Sequence, residues 1–280
     1  MIIEKICQSD LYANIYYKEK KKKYTPVIIW GGSEGGIWFA DMIAKRLAED
    51  NFICMSLAYF NFENLPKKLN RIKIEYFLNA IDFLQKHKQS TTKKINIIGI
   101  SRGAEAALFV GTLRADIGKI VAPMPSNTMN EALPTFNNIY EPAWNFNNKD
   151  ILPYDYDIFQ TEIDKGKNII AKENVISNAQ SVIPIEKINS EVLLISAGKD
   201  KLWNSSLMAK LLVRRSKRIK KIDNKINLIH YKNAGHFGFG VPESKLTQKE
   251  IDFCGGTLNA TNRAKAHSWE YMIKFFRNSL

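Results

Sequence analysis

The chain alternates between short apolar runs and longer stretches whose apolar residues recur every three or four positions. Near its start, "IIEKICQ" and "LYANIYYK" read as the two strands of a hairpin, followed by a basic turn and then "PVIIW", an apolar run of the buried-strand type. After "GGSEGG" comes "IWFADMIAKRLAED", in which Ile37, Met42, Ile43 and Leu47 recur at helical spacing. The handover repeats, with "FICMSLAYF" as strand, 67–88 as helix, "INIIGI" as strand, 102–113 as helix and "KIVAPM" as strand. Strands apolar on both faces, alternating with amphipathic helices, predict an α/β fold: a mostly parallel central sheet with helices on both sides.

From 126 to 189 the alternation lapses into an Asn-, Pro- and aromatic-rich stretch that includes "NEALPTFNNIYEPAWNFNNKDILPYDYDIF", with one helical segment expected around 159–180. So long a loop inside a compact domain is unusual unless it covers something, and the aromatics favour a cap over disorder. The pattern resumes with "EVLLISAG", a helix from about Ser205, the strand "INLIHY" and a closing helix over 260–276. With no internal repeat in view, the expectation is one domain over 1–280 carrying a cap or loop insertion at 126–189.

Composition adds little to this picture. The 45% hydrophobic and 25% charged content is ordinary for a chain with a sizeable core. No segment approaches the roughly 20 apolar residues of a membrane span, and the N-terminal "MIIEKICQSDLYANIYYKEK" lacks the apolar run of a signal peptide. Cys7, Cys54 and Cys254 are scattered without metal-ligand spacing, as reduced thiols would be, so a cytoplasmic protein is expected. The net charge of +13 is the outlier, but its excess is spread along the chain. The densest block, "KEKKKK", lies between two strand-like runs as a solvated turn would, and no nucleic-acid motif accompanies it. No cluster suggests a metal or cofactor.

Ligands of an open parallel sheet bind at the carboxyl ends of its strands, which directs attention to polar residues just after each strand. Ser101 follows "INIIG" and precedes an Ala-rich helix, with Gly99 and Gly103 two residues to either side, the G-x-S-x-G of a nucleophile elbow. A serine hydroxyl needs a general base. Of the four histidines, His87, His230 and His267 have routine places in helices or a strand, whereas His236 lies in the glycine-rich "YKNAGHFGFGVP" just after a strand. Asp200 ends "LLISAGKD" and completes the order Ser, Asp, His expected of an α/β-hydrolase. Asp223, which precedes its strand, is the weaker substitute. The amide of Arg102 and that of Gly32 or Ser33, in "WGGSEGG", are the candidate oxyanion donors. A phosphate cradle there lacks both G-x-G-x-x-G and the P-loop lysine. Glu105 and the Arg102 side chain are left outside the chemistry, since a glutamate in a first helical turn is favourable for the helix dipole alone.

With these residues in place the chain resembles the catalytic domain of the acyl-CoA thioesterase and bile acid-CoA:amino acid N-acyltransferase family. The resemblance covers most of 24–280. It runs through "PVIIWGGSEGG", "LAYFNFENLPKKLNRIKIEYFLNAIDFL", "IGISRGAEAAL", "SAGKDKLWNSS", "YKNAGH" and "GGTLNATNRAKAHSWEYMIKFF" in one order. It implies an α/β-hydrolase fold, catalytic Ser101, Asp200 and His236, and an acyl-CoA substrate. It also suggests that Phe136, Tyr140, Trp144 and Phe146 supply an apolar wall for the acyl chain. Many members carry an N-terminal β-sandwich, for which only a short stretch stands ahead of the resemblance here, and the acyltransferase branch is associated with Cys where Ser101 stands, so water is expected over an amine as acceptor. Dienelactone hydrolases share the fold but match fewer blocks. The rival readings are a carboxylesterase acting on a small ester without CoA, an N-acyltransferase, and a non-catalytic ligand receptor on the same fold.

Overall fold

A computed structural model describes residues 1–8, 11–132, 141–151, 181–220 and 225–277. The expected helix around 159–180 lies outside the described residues. The framework is an eight-stranded sheet of β1 (Ile2–Gln8), β2 (Leu11–Tyr17), β3 (Thr25–Trp30), β4 (Phe52–Ala58), β6 (Ile95–Gly99), β7 (Ile117–Pro123), β10 (Glu191–Ala197) and β11 (Ile226–Tyr231). Its spatial order is β1-β2-β4-β3-β6-β7-β10-β11. β1 and β2 pair antiparallel, as does β2 with β4, and the remaining neighbours are parallel. The sheet is thus mostly parallel, with the N-terminal hairpin as its antiparallel edge.

The central parallel strands β3, β4, β6 and β10 are apolar on both faces because both faces are covered. On β3, Ile28 and Trp30 enter one core with α2 (Ile74–Gln85), α3 (Arg102–Leu113) and Leu212 of α4 (Ser205–Lys220). Val27 and Ile29 enter the other, with α1 (Trp38–Ala48) and α6 (Leu258–Phe276). β10 divides in the same way, Val192 and Leu194 to the first core and Leu193 and Ile195 to the second. A period of two along the strand sorts the side chains between layers, as the pleat requires. Among the described residues no helix is long and apolar enough to cross a membrane. Lys20 to Lys23 lie exposed in the turn between β2 and β3.

Two elements depart from the expected pattern. The helix expected over 67–88 begins only at Ile74, after a short strand β5 (Ile72–Lys73). Tertiary pairing overrides helical periodicity there: Arg71 and Ile72 donate their amides to the carbonyls of Pro142 and Ala143. β5 joins β8 (Trp144–Phe146) and β9 (Lys149–Asp150) in a small second sheet, so the 141–151 part of the insertion is fastened to the chain that precedes α2. α5 (Gln248–Cys254) was not expected, yet "TQKE" announces it, since Thr247 and Glu250 form a reciprocal capping box.

Phe77 packs between the rings of Trp30, Tyr59 and Trp144 at centroid distances of 4.9, 5.2 and 6.1 Å and is fully buried. Phe77→Ala should therefore cost about 3–5 kcal/mol, read as a lower urea midpoint at unchanged slope.

Candidate active site

β6 ends at Gly99, and the chain turns into α3 through Ile100 and Ser101, whose backbone sits at φ 56° and ψ −119°. Only glycine fits on either side. A Cβ on Gly103 would lie 2.2 Å from the carbonyl oxygen of Gly31, and one on Gly99 would lie 2.4 Å from that of Gly103. The turn is pinned by Ser101 N–H donating to Pro123 O at 2.9 Å and by the Trp30 indole N–H donating to Gly103 O at 2.8 Å. The hydroxyl of Ser101 is thereby lifted above the carboxyl ends of the parallel strands.

His236 meets it there. Its Nε2 lies 2.9 Å from Ser101 Oγ, and its Nδ1 lies 2.8 and 3.0 Å from Oδ2 and Oδ1 of Asp200. Asp200, 1% exposed, is held by three further donors: the Leu202 amide at 3.0 Å and the Trp203 amide at 3.3 Å on Oδ1, and the Ser205 hydroxyl at 2.7 Å on Oδ2. A carboxylate so surrounded cannot rotate freely, and it fixes the imidazole with Nδ1–H toward itself and Nε2 toward Ser101. The structure thus brings together the three residues singled out in the sequence.

The loops bearing Asp200 and His236 are joined through the segment between α5 and α6. Gly255 bridges Asp200, Gly256 bridges Ala234, and the His236 amide donates to Cys254 O at 2.9 Å. Gly255 and Gly256 have φ of 85° and 77°, and a Cβ on either would lie 2.1 Å from Lys199 O or 2.3 Å from the Gly235 nitrogen. The double glycine in "CGGT" is the sequence signal for this clamp.

The loop after β3 passes beside Ser101. A Cβ on Gly32 would lie 2.9 Å from Ser101 Cβ. The buried hydroxyl of Tyr59 donates toward Gly31 O at 3.1 Å and Gly32 O at 2.8 Å. Because N–H and C=O point oppositely across a trans peptide, these contacts turn the N–H groups of Gly32 and Ser33 away from Tyr59. Glu34 has meanwhile folded back, and the Gly32 amide donates to its two carboxylate oxygens at 2.9 and 3.0 Å. Burial pushes the Glu34 carboxyl above its usual range, opposed by the two amides that donate to it and by His236. Arg102, as the first residue of α3, carries an amide that no helical carbonyl reaches.

Behind the elbow, Glu105 is fully buried. It accepts from Asn130 N at 3.0 Å, Asn130 Nδ2 at 2.7 Å and Trp144 Nε1 at 2.7 Å, and it faces Arg102 Nε at 3.3 Å. This corrects the expectation for Trp144, whose ring stacks on Tyr59 in the core and is 0% exposed, leaving no face for a substrate. Phe146 is partly buried edge-on against Phe109. Phe136 and Tyr140 lie outside the described residues. Among the described residues no group of three or more His, Cys, Asp or Glu side chains could hold a metal ion.

Glu105→Ala removes the acceptor of the buried Trp144 indole N–H and of the Asn130 backbone N–H, and the carboxylate that faces the Arg102 guanidinium. It should destabilise the fold by about 3–5 kcal/mol, measured by urea unfolding, and the pH at which activity is half-maximal should not move.

Residues 72–280 match the family model described as BAAT / Acyl-CoA thioester hydrolase C terminal. Acyl-coenzyme A thioesterase 6 of Mus musculus is 26% identical over 278 residues, an alignment covering 96% of this chain and 63% of the relative. Acyl-coenzyme A amino acid N-acyltransferase 1 of Mus musculus is 26% identical over 288 residues, covering 99% of this chain and 65% of the relative. The chain thus spans under two thirds of the length of these relatives. Among solved structures, a dienelactone hydrolase-like promiscuous phosphotriesterase from metagenomic libraries superposes with a TM-score of 0.58 at 15% identity, over 99% of this chain and 98% of that one. The acylaminoacyl peptidase of Pyrococcus horikoshii gives 0.60 at 12% identity, over 99% of this chain and 41% of that one. The fold is the dienelactone hydrolase-like α/β-hydrolase fold.

Proposed function

Because the chain belongs to the BAAT and acyl-CoA thioester hydrolase C-terminal family, we propose that it is a serine hydrolase of acyl thioesters, with acyl-CoA as the leading substrate class. The observation that carries this reading is the hydrogen-bonded line from Ser101 Oγ through His236 to Asp200, at 2.9 and 2.8 Å, mounted on a strained elbow.

In the first half-reaction His236 Nε2 takes the Ser101 proton as Oγ attacks the acyl carbonyl, and Asp200 stabilises the imidazolium. The oxyanion is held by the amides of Arg102 and Gly32. Gly32 is preferred to Ser33 because its α-carbon lies against Ser101, leaving no room for a Cβ. The C–S bond then breaks, and the leaving thiolate takes the proton from His236. In the second half, His236 removes a proton from water, which attacks the acyl-serine; the C–O bond breaks, Ser101 recovers its proton and the carboxylic acid departs. With Ser101 as nucleophile, water is the acceptor that fits the reading best. The phosphates of CoA would be drawn to a chain of net charge +13.

A thiol-release screen across acyl-CoA chain lengths, paired with mapping of a fluorophosphonate label, tests this reading. Label on Ser101, CoA released by the wild type and none by Ser101→Ala is the expected result. Label elsewhere refutes the nucleophile, whereas turnover of p-nitrophenyl esters without CoA release moves the substrate class to oxyesters. Asp200→Asn, which removes the charge and favours the wrong tautomer, should lower kcat by about 10⁴ in the same assay, with the label still directed to Ser101.

A further inference from the structure

One feature of the site stands opposed to the reaction just described. The Gly32 N–H, needed by the oxyanion, donates to both oxygens of Glu34 at 2.9 and 3.0 Å. The carboxylate lies over a floor that only glycine leaves open: a Cβ on Gly31 would fall 1.9 Å from Glu34 Oε1, and one on Gly32 would fall 3.2 Å from Oε2 and 2.9 Å from Ser101 Cβ. The turn that brings Glu34 back continues through Gly35 and Gly36, both at positive φ (64° and 68°), with the Gly36 amide donating to Phe60 O at 3.0 Å. Tyr59 holds the carbonyls of Gly31 and Gly32 from the opposite side, so the Gly32 N–H is presented to Glu34.

We propose that Glu34 is a tethered competitor for the oxyanion site, a carboxylate that substrate displaces on entry and that returns to expel the acid product. This rests on the reading of Gly32 as an oxyanion donor. Its logic is chemical identity. Hydrolysis makes a carboxylate at this amide, and Glu34 presents the same group to the same N–H from within the chain. A neutral acyl carbonyl, activated by attack and gaining charge as it reacts, draws more from the amide as the reaction proceeds. The released acid gains nothing further and competes with Glu34 on equal chemical terms. The competition raises the apparent KM of every substrate and weakens inhibition by free carboxylates, and it leaves kcat to the other residues.

The test compares wild type, Glu34→Ala and Glu34→Gln in p-nitrophenyl butyrate hydrolysis with sodium butyrate as inhibitor. Active enzyme is counted by fluorophosphonate titration, so a misfolded fraction does not enter the rates. In Glu34→Ala both KM and the butyrate inhibition constant should fall about tenfold, the size of one lost hydrogen bond to a charged group. Glu34→Gln keeps an oxygen acceptor without the charge and should fall between. Unchanged KM and inhibition constant in both variants overturn the proposal, as does a loss of kcat with the inhibition constant unmoved. The assignment of Ser101 is read separately: if the wild type turns over and Ser101→Ala does not, the hydrolase reading stands whatever the Glu34 variants do.

Discussion

A serine held at φ 56° between a parallel strand and a helix is the constraint on which the rest of the molecule depends. Such a backbone costs on the order of 1–3 kcal/mol and persists only where its surroundings over-determine it. Here they do. The strand before it is clamped between β3 and β7, the helix after it begins against the floor of the β3 loop, and the Trp30 indole ties the two loops together through Gly103 O. Two cores, one on each face of the sheet, make the local strain small beside the burial that enforces it.

Close backbone contacts position much of the site relative to that serine. The β3 loop lies against it because Gly32 and Gly103 lack a Cβ. The imidazole reaches it because its own amide and the acid loop are both fastened to residues 254–256. Glu105 performs a different task, gathering Asn130 and Trp144 behind the elbow so that the chain leaving β7 runs close to α3. Its burial with polar contacts from Asn130, Trp144 and Arg102 makes it a structural hub despite its place one turn from Ser101.

The central parallel strands are legible because they are apolar on both faces, and Ser101, Asp200 and His236 are legible because each comes soon after a strand in a chain with few histidines. What could not be read depends on contacts distant in sequence. Ile72 enters a strand because Ala143 offers it a carbonyl, and nothing in residues 67–73 announces that. Trp144 looked like one aromatic among several in an irregular stretch, but its N–H finds Glu105 and its ring finds Tyr59. Glu34 was invisible as a participant because its direction is set by two positive-φ glycines downstream. The short helix α5 was missed although its capping box was written in "TQKE".

The glycine clamp also sets an order in time. The elbow, the floor beneath it and Asp200 all precede residue 201, and the last strand of the sheet ends at Tyr231. Gly255 and Gly256, which tie the acid loop to the loop of His236, come later still. A chain emerging from the ribosome therefore carries the described strands of the sheet, Ser101 and Asp200 before the residues that fasten the His236 loop. The contact of Ser101 with His236 and Asp200 thus waits on the segment after α5, the last part of the site to be made.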